Sequence, residues 1–298
     1  MLKNALTALV LACACAASFS APSFESAHAL VVDETSGEVL YEKDAATAAP
    51  IASMTKLMTA MVVLDAHLPL DELIRIDRAD LDTIKFTRSG VPVGATFTRA
   101  TLLELALMSS DNHAAAALAR TYPGGNEGFL AAVRRKIEDL QLQNTGLEEP
   151  TGLSPNNHAT ARDMAKIVQA AAQYPQITQA TSQRSKLVMV NGKRRVFHNT
   201  NGLVGAPGWD ITLSKTGFTN DAGRCLSMQL QAAGRKVLVV LMGAVSTSER
   251  TLDALNVRRW LGGDVTHVGM SATARVTPVS ARRARRISVH HRGLRPRA

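Results

Sequence analysis

The order of the apolar segments constrains the fold of this 298-residue chain more than any other feature. Strand patterns occur near the beginning, at residues 30–32 and 38–41, and return near the end, at 211–216, 224–230 and 236–242. The residues between them show mainly helical patterns. We therefore predict one α+β domain, in which the early strands join the late ones in an antiparallel sheet beside a mainly helical subdomain.

A densely apolar segment from Ser53 to His67 predicts a buried helix with Ser53 at its N-terminus. Ser53 and Lys56 form an S-x-x-K pattern, and residues three apart share one face of a helix. This spacing places an amine beside a hydroxyl nucleophile. Because a lysine pKa is normally near 10.4, Lys56 can act as a base only if burial and a neighbouring cation favour its neutral form.

A second motif, Ser110-Asp111-Asn112, falls in the break between two predicted helices, at 102–108 and 113–122. We expect Ser110 to relay a proton between Lys56 and the leaving amine, and Asn112 to bind a substrate amide. Alternatively, Ser-Asp-Asn before a helix can serve only as its N-terminal cap.

A third motif, Lys215-Thr216-Gly217, lies in a predicted strand. Lys215 is the expected cation, Thr216 would offer a hydroxyl to a substrate carboxylate, and Gly217 would leave room for a peptide along the strand edge. The backbone N–H groups of Ser53 and Phe218 are the expected oxyanion hole.

Each motif alone has an ordinary structural explanation, and Ser154-Pro155-Asn156 matches the middle pattern a second time. The three in this order are the set found in serine acyl-transfer enzymes, so we predict that chemistry. We expect Ser154-Pro155-Asn156 to be only a turn, because no helix break presents it.

The net charge of +9 is local, because residues 271–298 contain eight arginines and no acid, which leaves +1 for the rest. We therefore expect no nucleic-acid partner. The histidines lack metal-ligand spacing and no phosphate-binding glycine loop occurs, so we expect no metal and no cofactor.

Both termini differ from the body of the chain. Lys3 and the apolar residues after it predict a signal peptide at 1–27 and a periplasmic protein, and Cys13 allows lipidation as a weaker alternative. Residues 28–265 would form the catalytic domain. Residues 266–298 would be a disordered Arg-rich tail, for which contact with anionic envelope polymer or lipid headgroups, and so membrane or wall association, is a further hypothesis.

The chain also resembles the low-molecular-mass penicillin-binding proteins, in particular D-alanyl-D-alanine endopeptidases of the penicillin-binding protein 7 type. The resemblance lies in the blocks PIASMTKLMTA (50–60), SSDN (109–112), YPGG (122–125), EPTGLS (149–154), NTN (199–201) and KTGFTN (215–220). It implies the serine β-lactamase/DD-peptidase fold, peptidoglycan stem peptides as substrates, an acyl-enzyme on Ser53, and covalent inhibition by β-lactams.

Alternatives within this resemblance remain open. Related carboxypeptidases usually continue into a second, β-rich domain, whereas about 35 residues follow Gly263 here, so the resemblance favours a cross-link endopeptidase over a terminal D-alanine carboxypeptidase. Neither Glu148 nor Glu149 fits the deacylation pattern of class A β-lactamases. A β-lactamase and a non-hydrolytic wall-binding protein are therefore less favoured.

Overall fold

The computed structural model describes residues 22–262, so most of the predicted signal peptide and the predicted Arg-rich tail lie outside the described residues. The helices are α1 (Lys56–Asp65), α2 (Arg99–Met108), α3 (Asn112–Arg120), α4 (Gly125–Asp139), α5 (Ala161–Ala171), α6 (Pro175–Ser182) and α7 (Thr247–Leu261). The strands are β1 (His28–Asp33), β2 (Val39–Lys43), β3 (Ala49–Pro50), β4 (Leu73–Arg75), β5 (Thr96–Thr98), β6 (His158–Ala159), β7 (Ser185–Val190), β8 (Lys193–His198), β9 (Asp210–Thr219), β10 (Gly223–Ala232) and β11 (Arg235–Ala244).

Five strands form the main sheet in the order β2-β1-β11-β10-β9, and every neighbouring pair is antiparallel. The N-terminal strand β1 pairs with β11, with a register that runs from His28 opposite Met242 to Asp33 opposite Val237. The predicted joining of early and late strands is thus confirmed. Strand β9, which carries the third motif, lies at one edge of the sheet.

The sheet is buried on both faces. One face packs under α7 through residues such as Val239 and Ala254. The other packs against the helical subdomain, where Val240 shares a core with α1, α2, α3 and α5. Helix α1 lies inside this core and is buried almost all round, as its dense apolar sequence predicts.

The segment that precedes α1 differs from the prediction in one respect. Residues Ala52–Thr55 form a 3₁₀ turn, and the α-helix begins at Lys56 rather than at Ser53. Ala52 has a positive φ of 46°, and the Thr55 hydroxyl donates to the Ala52 carbonyl at 2.8 Å. The tighter turn turns Ser53 out of the buried helix, and its side chain is partly exposed.

The sequence analysis did not predict helix α6, the hairpin of β7 and β8, or the short strands β3 to β6. The hairpin had a clear signal, because Asn191-Gly192 separates two runs rich in β-branched and basic residues. Both turn residues have positive φ, 49° and 75°, as a two-residue hairpin turn requires. The hairpin forms a separate two-stranded sheet packed beside α2.

Residues 24–27, at the end of the predicted signal peptide, have contacts with the rest of the domain. Phe24 is buried against Tyr41, with ring centroids 4.4 Å apart. The backbone N–H groups of Glu25 and Ser26 donate to the carboxylate of Asp253 in α7. Residues 24–27 therefore belong to the folded unit. Among the described residues, no helix is long and apolar enough to cross a membrane.

Candidate active site

The fold brings all three motifs together in one cleft. Ser53 comes from the 3₁₀ turn, Ser110 and Asn112 from the break between α2 and α3, and Lys215 from the edge strand β9. Ser53 Oγ lies 2.7 Å from Lys56 Nζ, and the Lys56 side chain is almost completely buried at 1% exposure. The pair has the contact that an S-x-x-K nucleophile and base require.

The amine of Lys56 contacts three oxygens at 2.7 Å: Ser53 Oγ, Asn112 Oδ1 and the Thr151 carbonyl. The amide and carbonyl oxygens can only accept, so they use two N–H bonds of the amine. When Lys56 is neutral, its lone pair can accept the Ser53 proton, and when it is charged, its third N–H donates to Ser53 Oγ. The same arrangement therefore suits both protonation states.

Burial lowers the pKa of Lys56 to about 8, against the opposing charges of Glu149, Asp111 and Asp82. Desolvation penalises the ammonium, whereas the three carboxylates stabilise it. Lys56 thus titrates close to neutral pH, where a base can exchange protons in both directions.

Lys215 is also 1% exposed, and its amine donates to Ser110 Oγ at 2.9 Å. Burial lowers the pKa of Lys215 well below its usual value, and the charge of Lys56 lowers it further. The sequence analysis expected Lys215 to be the standing cation beside a neutral Lys56. Carboxylates oppose this lowering at Lys56, whereas no charged group among the described residues raises the pKa of Lys215, and the assignment of the cation to Lys215 stays a prediction.

The middle motif contributes side chains both to the cleft and to the start of α3. Ser110 has a positive φ of 59° and points towards Lys215, whereas Asp111 caps α3 by accepting from the Ala114 N–H. Asn112 holds Lys56 through its oxygen, and its nitrogen donates to Thr87 Oγ1 at 2.7 Å. The capping role and the cleft role therefore coexist.

The loop at 149–157 contributes a group that sequence reasoning missed, the carbonyl of Thr151. The Glu149 carboxylate accepts from the N–H groups of Thr151, Gly152 and Leu153 at 2.6 to 2.8 Å, and this holds the loop in place. The Thr151 carbonyl then lies 2.7 Å from Lys56 Nζ. A backbone carbonyl carries no residue-type signal, so only the acid before Thr-Gly could have suggested it.

Strand β9 approaches the nucleophile closely. A Cβ on Gly217 would lie 2.7 Å from the Ile51 carbonyl and 3.3 Å from the Ser53 nitrogen, so only glycine fits without a shift. The next residue, Phe218, is about half exposed under the guanidinium of Arg224. Thr216 Oγ1 donates to Thr200 Oγ1 at 2.6 Å, which makes Thr200 a further hydroxyl at this wall.

The second match to the middle motif lies outside this cluster. Ser154 and Asn156 both donate to the carboxylate of Glu148, within a turn. A cavity of about 260 Å³ lies beside Asn112 and Thr151, and no residue of β9 lines it.

Comparisons with known proteins show the family to which the chain belongs. A family model described as D-alanyl-D-alanine carboxypeptidase, peptidase S11, matches residues 15–246. The chain belongs to the peptidase S11 family. This confirms the predicted family of serine D-alanyl-D-alanine peptidases.

Two relatives within the peptidase S11 family cover most of the chain. A D-alanyl-D-alanine endopeptidase of Pseudomonas aeruginosa is 43% identical over 84% of this chain and 81% of its own length. One from Escherichia coli is 41% identical over 90% of this chain and 84% of its own. Both carry the subtype name that the sequence analysis favours.

Solved structures confirm the predicted fold. The Streptomyces K15 DD-transpeptidase matches with a TM-score of 0.76 and 25% identity, over 82% of this chain and 99% of that one. A D-alanyl-D-alanine carboxypeptidase of Mycobacterium tuberculosis matches with a TM-score of 0.73 and 26% identity, over 82% and 94%.

Proposed function

We propose that this protein is a periplasmic serine DD-peptidase that hydrolyses D-alanyl cross-links in peptidoglycan through an acyl-enzyme on Ser53. The observation that carries the proposal is the 2.7 Å contact between Ser53 Oγ and a buried Lys56 amine whose other two contacts are obligate acceptors. The endopeptidase subtype is supported by the two relatives that cover most of the chain.

Substrate binding would prepare the base. The cross-linked peptide has a carboxylate next to the scissile bond, and Lys215, Thr216 and Gly217 would receive it at the edge of β9. An anion there favours a proton on Lys215, and the new charge favours loss of the proton from Lys56. Substrate binding would thus increase the fraction of Lys56 that is neutral beside Ser53.

Acylation would then follow in two proton steps. Neutral Lys56 takes the Ser53 proton as Oγ attacks the D-alanyl carbonyl, and Asn112 positions the peptide amide. The backbone N–H groups of Ser53 and Phe218 would stabilise the oxyanion. Ser110 would relay the proton, donating its own hydroxyl proton to the leaving amine and taking up the one that Lys56 received from Ser53, so that Lys56 is neutral again when water hydrolyses the ester.

The test is mass spectrometry of products from two substrates, cross-linked muropeptide dimers and monomeric pentapeptides, with and without penicillin. We expect dimers to be split to monomers in a penicillin-sensitive reaction that a Ser53→Ala variant lacks. Loss of only the terminal D-alanine from pentapeptides would instead identify a carboxypeptidase, the activity in the family's description. Cleavage by the Ser53→Ala variant would refute the mechanism.

The Arg-rich segment at 266–298 lies outside the described residues. We keep its contact with anionic polymer or lipid as a proposal that rests on its eight arginines. Binding of wild-type protein and of a variant with these arginines changed to glutamine to anionic vesicles would test it, and equal binding would reject it.

A further inference from the structure

The outer face of the β7–β8 hairpin has an unusual composition. Leu187 lies directly opposite Val196 and Met189 lies opposite Arg194, and all four side chains point away from the core. Leu187, Met189 and Val196 are 54%, 53% and 49% exposed. Three large apolar side chains thus form one exposed patch on a flat two-stranded face.

The hairpin's inner face already has its own packing. Val188, Val190 and Phe197 are buried, so the hairpin does not need the outer residues for its attachment to the domain. Arg195 extends to the loop before β5, where its guanidinium donates to the Gly90 carbonyl at 2.9 Å. The outer apolar residues therefore have no evident role in stability.

Positive charge surrounds this patch. Residues 164–209 contain six lysines and arginines but no aspartate or glutamate. Lys193, Arg194 and Arg195 follow the turn consecutively, and all three are exposed. Lys186 is paired with Glu104 of α2, whereas the three cations after the turn form no ion pair among the described residues, so the exposed charge beside the patch is positive.

We propose that the outer face of the β7–β8 hairpin binds anionic phospholipid surfaces, with Leu187, Met189 and Val196 entering the headgroup region and Lys193 and Arg194 contacting phosphates. Aliphatic side chains flanked by cations suit a membrane interface, because long basic side chains keep their charge at the surface while apolar groups insert.

The proposal does not depend on the catalytic reaction. It is tested by co-sedimentation of the full-length protein with phosphatidylcholine vesicles that contain or lack 30% phosphatidylglycerol. A basic residue near an anionic surface contributes about fivefold in affinity, so Lys193→Gln with Arg194→Gln should weaken binding about 30-fold. Leu187→Ser, Met189→Ser and Val196→Ser together should weaken it about tenfold or more.

A matched control removes the same charge elsewhere. Arg134 and Arg135 are exposed on α4, and changing both to glutamine leaves the hairpin and the Arg-rich segment unaltered. We expect this control to bind nearly as well as wild type. Thermal melting checks that all variants fold, which is expected because the changed side chains are exposed.

Three results would overturn the proposal. The first is an absence of binding to anionic vesicles, and the second is an equal loss in the control and the hairpin charge variant. The third is unchanged vesicle binding by the Leu187→Ser, Met189→Ser, Val196→Ser variant. That result would mean that charge alone explains the binding, as it would for an acidic protein or polymer. As a direct readout, an environment-sensitive fluorophore on Met189→Cys should shift to the blue with anionic vesicles only.

Discussion

Gly152→Ala should disable the proposed nucleophile without touching a catalytic side chain. Gly152 has a φ of 84°, and a Cβ there would lie 1.9 Å from the Ala52 carbonyl oxygen and 2.8 Å from the Ser53 nitrogen. Contacts below 3.0 Å are essentially never seen for real Cβ atoms, so the two backbone segments must separate by about 1.1 Å. Both segments carry groups that contact Lys56.

The expected losses of acylation rate and of stability follow from these distances. A misplacement of about 1 Å at a reacting group costs on the order of 100-fold in rate, so acylation should fall by at least about that factor. The positive φ adds about 1–2 kcal/mol of backbone cost and the overlap about 1–3 kcal/mol. The free energy of unfolding should therefore fall by about 2–5 kcal/mol.

The matched control is Gly37→Ala. Gly37 has a φ of 76°, but a Cβ there would meet nothing within 4 Å. Only the backbone cost of about 1–2 kcal/mol should appear, and acylation should be unchanged. The assays are acylation by a fluorescent penicillin and unfolding in urea. Near-normal acylation of folded Gly152→Ala protein would refute the reasoning.

Three further results are expected. Burial lowers the pKa of Lys56 to about 8, and only its neutral form accepts a proton, so the rate of penicillin acylation should rise as the pH approaches 8 and then level off. A Lys56→Ala variant should fold but not acylate, and near-normal acylation by that variant would remove Lys56 as the base. Glu149→Gln removes the charge that most raises the pKa of Lys56, so the rise of the acylation rate with pH should occur at lower pH. An unchanged pH profile would argue against an effect of Glu149 on that pKa. Because the carbonyls of Phe24 and Ser26 accept from Lys43 Nζ at 2.8 and 2.9 Å, N-terminal sequencing of exported protein should find a start before Phe24, and a start at His28 would contradict the observed packing.

Much of this fold was predictable because its elements have strong local signals. Helix α7 has such signals, since Ser246 and Glu249 form a capping box before Thr247 and Gly262 follows Leu261. The meander of β9, β10 and β11 was also predicted. The start of α1 was not, because the 3₁₀ turn at Ala52–Thr55 results from contacts with a distant loop and with β9.

The sequence by itself determined which side chains could perform acyl transfer, because the spacing in Ser53-x-x-Lys56 and the adjacency in Lys215-Thr216-Gly217 are local properties of helix and strand. Only the tertiary structure decided the surroundings that lower the pKa of both lysines, and the third contact of Lys56. The physical reason is that desolvation, nearby carboxylates and the Thr151 carbonyl act through space, from segments about 100 residues apart in the chain.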